Sequence, residues 1–421
     1  MTSPSPAASA EAVAARSSGS IAGVRGLLAL IAGALVALGL LEGGGGALWP
    51  DVIAAFGVSK GLFGMANGIG LSLSFPILLF GGRLTTRFDP RGLMAWAAAM
   101  LIVLAVGVTI GGGPAALVAL LVVRGMGIGL LDLAANAAAM DVEQSTGRHV
   151  MSPLHAGFSG GTVLGAGIAW LAFAAGGGHR IVFTILGALF AIFIVGAALV
   201  RRGSPIPASR GTAKTKNSLA LGLFRRADIR AFALMCGVAF AGEGLIAQWI
   251  GIYLRDERGY SASIGAGAVI TLGAAMFGGR LVNGPMTVKA GAGRALLTQG
   301  TMTSFGGLLL VTAGSPGVAI AGCAIAGLGL AGVAPTALSL AGKALPEASG
   351  AATGAALIGG YAGGAVVPFI AGLVASKASV HWVMLGVIVA GATVLITGLR
   401  LRRLGSADAT THSEPTVTAI S

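Results

Sequence analysis

The chain has 421 residues, of which 55% are hydrophobic and only 10% are charged. A soluble domain carries about 25% charged residues, so this composition excludes an ordinary globular surface and predicts a protein embedded in lipid. The net charge of +13 could indicate a nucleic-acid partner. Its distribution at the ends of apolar segments indicates membrane topology instead, so no nucleic-acid binding is expected.

Twelve apolar stretches are long enough to cross a bilayer, whose hydrocarbon core takes about 20 helical residues. Several of the joints are short, and one long polar connection follows the sixth stretch. The fold class predicted is therefore an all-α membrane protein with two halves of six helices. The predicted segments are 24–48, 61–80, 92–110, 114–138, 153–175, 180–200, 231–254, 262–280, 294–313, 316–341, 349–375 and 380–399.

The basic residues predict the orientation. If both termini are cytoplasmic, 21 of the 27 lysines and arginines fall on the cytoplasmic side, five on the outer side and Arg124 within the membrane. Such an excess of positive charge is the usual mark of cytoplasmic loops. We therefore expect a multi-pass plasma-membrane protein with cytoplasmic termini.

An internal repeat supports the division into halves. The letters FGGRL occur at Phe80–Leu84 and again at Phe277–Leu281, and Gly157–Gly161 is matched by Gly360–Gly364. Glu42 has a counterpart in Glu243. Two parallel six-helix repeats are typical of secondary transporters. The predicted parts are a disordered tail (1–20), an N-terminal half (21–200), a basic linker (201–230), a C-terminal half (231–399) and a cytoplasmic tail (400–421).

Three charged residues interrupt the apolar segments of the first half. A charge at the bilayer centre costs roughly 2.5–3.5 kcal/mol, so it is tolerated beside a partner or a water-filled path. Glu42 and Asp132 lie roughly 9 Å to the outer and inner sides of the middle, at 1.5 Å per helical residue, and Arg124 lies between them in depth. This order suits a proton that is handed across the membrane. The alternative is that one acid simply pairs with Arg124 or stays protonated.

Several motifs resemble those of the major facilitator superfamily. Gly82-Arg83-Leu84-Thr85-Thr86-Arg87 is similar to its cytoplasmic loop signature G-x-L-x-D-R, with Thr86 in place of Asp, and Arg124 followed by G-x-G-x-G resembles its fourth-helix signature. The stretches Leu131–Asn136, Met151–Ala156, Glu243–Trp249 and Gly327–Pro335 resemble the fucose:proton symporter branch and its bacterial relatives.

The resemblance implies roles for particular residues. In fucose-symporter relatives, an acid in helix one and another in helix four carry the proton, which implies this role for Glu42 and Asp132 beside Arg124. For a sugar or other hydroxylated solute we expect contacts from Asn136, His155, Glu243, Gln248 and Trp249. Helix packing and interfacial anchoring are the alternative for Glu243, Gln248 and Trp249, and capping or pairing with a loop is the alternative for His155. We expect gating at the inner ends of helices two and eight, through Gly82, Arg83, Arg87, Gly279 and Arg280.

Other kinds of site are not expected. Gly157-Phe158-Ser159-Gly160-Gly161 fits the G-x-S-x-G pattern of hydrolases, but it lies in a spanning segment rather than in a strand–turn–helix setting. Cys236 and Cys323 have no Cys or His at ligand spacing, so no metal site is predicted. No enzymatic activity and no cofactor are predicted either. The sequence favours proton-coupled symport of a small polar solute, with sugars as one candidate class. A proton-coupled exporter of drugs or metabolites and a non-transporting receptor are the alternatives.

Overall fold

The structure is a computed structural model that describes residues 6–79, 84–85, 87–146, 150–200 and 222–411. Every regular element within these ranges is helical. The helices of the first half are α1 (Pro6–Ala55), α2 (Lys60–Ser72), α3 (Ser74–Leu79), α4 (Pro90–Ile110), α5 (Pro114–Thr146), α6 (Met151–Ala174) and α7 (His179–Leu199).

The second half repeats this pattern after residue 222. A π-helical turn, Tyr253–Glu257, extends its first helix, and a 3-10 turn, Pro346–Ala348, lies before its fifth predicted segment. Its helices are α8 (Ala227–Ile252), α9 (Ala262–Ala290), α10 (Ala292–Thr312), α11 (Pro316–Leu330), α12 (Val333–Ala344), α13 (Ser349–Lys377) and α14 (Val380–Thr411).

The predicted twelve-segment architecture is confirmed. Within the described residues, ten helical stretches are long and apolar enough to cross a membrane. The two remaining predicted segments correspond to α2 with α3 and to α10, in their expected places in the chain. The tenth predicted segment is formed by α11 and α12 together.

Several helices are longer than the apolar segments that predicted them. Helix α1 begins at Pro6, inside the predicted tail, because its Ala-rich start favours a helix. Helix α9 continues past the predicted end at 280 to Ala290, and α14 continues past 399 to Thr411. Backbone hydrogen bonding does not require apolar side chains, so helices extend beyond the hydrophobic core of a bilayer.

Local sequence explains where several helices begin. The Ser59 side chain accepts a hydrogen bond from the backbone N–H of Leu62 at the start of α2. Asp89 accepts from the N–H of Arg91, and Pro90 occupies the first turn of α4. Such side-chain caps satisfy N–H groups that have no partner within the helix.

Close glycine packing gives the halves a matching internal geometry. In the first half, Gly39 and Gly43 of α1 lie so near the α6 backbone that neither position has room for a side chain. In the second half, Gly363 of α13 meets the backbone of Gly237 in α8, and Gly359 meets the backbone of Ala233. The first and fifth predicted segments of each half are thus joined through small residues, as is common when lipid supplies no hydrophobic force between helices.

Two opposite faces of the bundle follow from the alternation of the helices. The short-loop face holds residues 56–59, 111–113, 175–178, 258–261, 313–315 and 378–379. The terminal face holds the N-terminal end of α1 and the C-terminal end of α14. The orientation predicted from the basic residues makes the short-loop face the extracellular one.

The halves are closed against each other at the short-loop face. Lys60 Nζ lies 2.9 Å from Asp256 Oδ2, and Arg255 forms an ion pair with Asp51. Among the described residues, these are the ion pairs that join the two halves. The terminal face carries a cavity of about 520 Å³ beside Lys343, between α12 and α13. With the predicted orientation, the protein is closed to the outside.

Candidate functional site

Arg124 of α5 is held inside the bundle by side chains from two other helices. Its Nη2 group donates to Glu42 Oε1 of α1, and its Nη1 group donates to Asn67 Oδ1 of α2 at 2.8 Å. The arginine side chain is only 1% exposed, and Glu42 is 20% exposed. The guanidinium also lies 5.4 Å from the centre of the Trp49 ring, where the negative face of the ring attracts a cation. The buried positive charge is therefore compensated.

The same network crosses to the second half. Asn67 donates through Nδ2 to Gln248 Oε1 of α8, and Asn67 is 1% exposed while Gln248 is 6% exposed. Asn67 thus accepts from Arg124 with one side-chain atom and donates to the opposite half with the other. Glu42, Arg124, Asn67 and Gln248 form a continuous polar chain, which we call the crossing network.

Aromatic rings cover the crossing network toward the short-loop face. Phe63 packs 5.2 Å from Trp49 of its own half and 6.0 Å from Trp249 of the other half, measured between ring centres. All three rings are buried. Arg124 Nε and Trp249 Nε1 have no hydrogen-bond partner among the described residues. Both donors are buried beneath the closed face.

A second polar cluster surrounds Asp132, two turns after Arg124 on α5. Tyr361 of α13 donates to Asp132 Oδ2 at 2.5 Å, and Asn136 Nδ2 donates to Asp132 Oδ1 at 2.8 Å. His155 Nε2 of α6 lies 3.1 Å from Asn136 Oδ1. Tyr361 comes from the second half, so this cluster also joins the halves. Phe240 of α8 packs edge-on against the tyrosine ring at 6.0 Å.

A third polar group centres on Arg280 of α9. Its Nη1 group donates to Ser159 Oγ of α6, in the other half, and its Nη2 group lies 3.6 Å from Glu243 Oε2 of α8. The Arg280 and Glu243 side chains are 29% and 27% exposed. Glu243 is also within electrostatic reach of Glu42. The three groups together line the interface of the two halves with acids and arginines.

The predicted proton-coupling residues thus fall into two separate places. Glu42 pairs with Arg124, and Asp132 bonds to Tyr361 and Asn136 instead. Predicted substrate residues divide in the same way. Asn136 and His155 lie with Asp132, whereas Gln248 and Trp249 are buried at the closed face in this conformation.

The predicted gating residues are less fully described. Gly82 and Arg83 lie outside the described residues. Arg87 is exposed before α4, and Gly279 packs so closely on Ala331 and Leu328 that a side chain would clash. Arg280 was expected at the inner end of its helix, but α9 continues to Ala290 and Arg280 faces Ser159 and Glu243. Its expected position at a helix end is corrected accordingly.

Sequence reasoning missed Asn67, Ser159 and Tyr361. Each is a neutral residue in an apolar or Gly-rich segment, where a hydroxyl or amide carries no signal comparable to an intramembrane charge. The repeat offered one indication, because Tyr361 lies within Gly360–Gly364. In the described part of the chain, no group of three or more His, Cys, Asp or Glu side chains is arranged to hold a metal ion.

Comparison with known proteins identifies relatives along most of the chain. The family model of the Major Facilitator Superfamily matches residues 29–368. An uncharacterized MFS-type transporter of Yersinia pestis is 28% identical over 329 residues, which cover 76% of this chain and 81% of that protein. An uncharacterized transporter of Sinorhizobium fredii (strain NBRC 101917 / NGR234) is 30% identical over 354 residues, covering 82% of this chain and 89% of that protein.

Solved structures share the fold. A variant of the nucleoside transporter NupG has a TM-score of 0.74 at 11% identity and covers 90% of this chain and 99% of its own. The D-xylose-proton symporter has a TM-score of 0.65 at 16% identity, covering 89% and 96%. The fucose:proton symporter FucP of E. coli has a TM-score of 0.60 at 17% identity, covering 89% and 98%. At these identities the likeness extends to the fold alone.

Proposed function

The chain belongs to the Major Facilitator Superfamily, and from this premise we propose that it is a proton-coupled symporter of a small polar solute. It works by alternating access in the plasma membrane, with both termini in the cytoplasm. Among small polar solutes, sugars are the leading substrate class. The proposal draws support from the fold shared with proteins described as D-xylose-proton and fucose:proton symporters.

The observation that carries the proposal is the ion pair between Glu42 and Arg124. Inside the membrane, Arg124 compensates the charge of the Glu42 carboxylate. When Glu42 takes up a proton, its attraction to Arg124 is lost. Arg124 also holds Asn67, which bonds to the second half through Gln248. Loading the proton therefore weakens the contact that keeps the short-loop face closed.

Asp132 is the second acid in the proposed path. It bonds across the halves to Tyr361, nearer the terminal face than Glu42 by its place on α5. A tyrosine hydroxyl donates most strongly to an ionised carboxylate. Protonation of Asp132 would weaken this bond and allow the halves to separate at that level. Each acid therefore couples its charge to one contact between the halves.

The test is uphill transport in proteoliposomes that contain a pH-sensitive dye. D-xylose, L-fucose and uridine are added singly to the outside, and an inward proton flux that depends on the solute identifies symport. With a solute so identified, Glu42→Gln and Asp132→Asn should each abolish accumulation driven by a pH gradient. Exchange of labelled for unlabelled solute should survive, because the neutral side chains mimic the protonated acids.

Two results would contradict the assignment of the coupling acids. If either variant still accumulates solute at the wild-type level, that acid is not a coupling site. If exchange is lost together with accumulation, the acid is needed for folding or binding instead. Asp89→Asn provides a matched control, because Asp89 is an exposed acid that caps α4 outside the bundle interior.

A further inference from the structure

Arg124 and Arg280 differ in how fully their N–H donors are used. Arg124 is 1% exposed and bonds to Glu42 and Asn67. Arg280 is 29% exposed, and its nearest acid, Glu243, lies 3.6 Å away. A separation of 3.6 Å is too long for a hydrogen bond. The Arg280–Glu243 contact is thus a loose ion pair whose geometry leaves room for another acceptor.

Arg280 occupies the position expected of a ligand-binding group. It extends from α9 of the second half and bonds to Ser159 on α6 of the first half. His155, one turn before Ser159, is exposed and within electrostatic reach of Arg280. Side chains from both halves therefore meet at this cation. A solute bound here would contact both halves, as alternating access requires.

The chemistry of a guanidinium selects one kind of ligand. Its planar N–H groups match the two oxygens of a carboxylate in a bidentate pair, which is stronger than a bond to a neutral hydroxyl. A neutral sugar offers only hydroxyl and ring oxygens, which accept weaker, single hydrogen bonds from a guanidinium. Among the described residues, Ser159, His155 and Asn136 provide polar partners nearby for hydroxyl groups.

We propose that the transported solute is a small hydroxylated carboxylate whose carboxyl group binds Arg280 in place of Glu243. This refinement rests on the proposed symport. It replaces the neutral sugar with an acid of similar size. Arg280 then serves as the residue that determines substrate specificity.

The exchange of partners links substrate to proton. Once the solute takes Arg280, Glu243 is left without its cation inside the bundle, and a carboxylate without a compensating cation in a membrane is costly unless it takes up a proton. Among the described residues, Arg280 on α9 lies 3.6 Å from Glu243, and Glu42 on α1 is within electrostatic reach of it. His155 on α6 is in turn within electrostatic reach of Arg280 and Asp132. Glu42 repels an ionised Glu243 and adds to the effect. One proton is thereby loaded with each anion, and the site keeps its net charge.

Binding to purified protein tests the proposal independently of proton flux. The probes are pairs that differ by a carboxyl group: D-xylose and D-xylonate, D-galactose and D-galactonate, glycerol and glycerate. A ligand that binds the native state raises the melting temperature. At least one carboxylate should raise it in the wild type, and its neutral partner should not. Arg280→Gln should weaken the binding of that carboxylate about tenfold or more, which is the loss of affinity expected for a charged hydrogen-bonded pair.

Variants separate binding from folding. Arg280→Gln with Glu243→Gln removes the unpaired acid that the single substitution leaves, so a stable double variant that still fails to bind assigns the loss to Arg280. Arg280→Lys keeps the charge and should bind only weakly, because lysine lacks the planar pair of donors. Arg294→Gln is the matched control, since Arg294 is exposed at the start of α10.

The outcomes distinguish the two proposals. If no carboxylate raises the melting temperature, or if Arg280→Gln binds as well as the wild type, the substrate assignment is overturned. If D-xylose or another neutral member binds and drives proton influx, symport stands and the carboxylate class is wrong. If a carboxylate binds at Arg280 but moves without protons, the substrate class stands and the proton-coupled function fails.

Discussion

Asn67 and Gln248 form a hydrogen bond across the interface between the two halves, with the amide of Asn67 donating to the amide oxygen of Gln248. The other side-chain atom of Asn67 accepts from Arg124 at 2.8 Å. One small amide thereby connects an intramembrane ion pair to the contact that closes the short-loop face. This connection yields the first prediction.

Asn67→Ala should open the short-loop face. It leaves the Gln248 oxygen and an Arg124 donor unpaired in the closed state, a cost of about 1–3 kcal/mol that is relieved when water enters. We expect the ratio of open to closed protein to rise about fivefold or more. Distances between spin labels on cysteines that replace Ala115 and Thr312, exposed residues of this face in opposite halves, report the change.

Asn283→Ala is the control for this substitution. Asn283 is also a buried asparagine, but it accepts from Gln299 at 2.7 Å within the second half. Its loss should lower stability without changing the label distances. Equal distances in Asn67→Ala and the wild type would show that the crossing network does not hold the face closed.

Gly64→Val should also favour the outward-open state, by a steric route. A side chain at Gly64 would meet the backbone of Gly372 and the ring of Trp249, both in the other half. The closed arrangement has no space for it, because packed interiors do not yield by a whole methyl group at low cost. Gly113→Val serves as the control, since no atom lies within 4 Å of the added carbon.

The same label pair measures the effect of Gly64→Val. We expect a longer distance between the labels at positions 115 and 312. Cysteines introduced at these positions should also react faster with a reagent added from outside. An unchanged distance distribution, with normal transport, would mean that α2 and α13 adjust locally without opening.

The Lys60–Asp256 pair should contribute a smaller part of the closure. Exposed ion pairs contribute about 0–1 kcal/mol, and both side chains are about one-third exposed. Asp256→Lys places two cations together and should raise the open fraction by up to about fivefold. Exchanging the charges, with Lys60→Asp and Asp256→Lys together, should restore the wild-type distances. Failure of the exchange to restore them would assign the effect to packing.

The orientation of the protein leads to a labelling prediction. Lys60 lies at the short-loop face and Lys343 at the terminal face. In intact cells, a membrane-impermeant maleimide should label Lys60→Cys and spare Lys343→Cys, in a background that lacks Cys236 and Cys323. The two native cysteines are buried. Their removal ensures that any labelling comes from the introduced cysteine. The reverse pattern would invert the proposed topology.

Much of the architecture was predictable from the sequence because lipid imposes simple requirements. A helix that crosses the bilayer needs a long apolar run, and every charge within such a run needs a partner. The segments and the two halves follow from these rules, which also predict that Glu42, Arg124 and Asp132 each need a partner. Helix ends did not follow, since α9 continues ten residues beyond the predicted 280 to Ala290, and Arg280 consequently lies inside the bundle.

Which groups meet was decided by the tertiary structure. Spacing along α5 would allow Arg124 to pair with Asp132. The packing of α1 against α5 instead brings Glu42 to Arg124. Asn67 and Tyr361 carry no charge, and they join the polar contacts between the halves only because α2 and α13 place them opposite Gln248 and Asp132. The sequence by itself determined that acids and arginines must be compensated within the membrane. The three-dimensional packing of the halves decided their partners, because distance between side chains on different helices is not encoded in the hydrophobic pattern of any one of them.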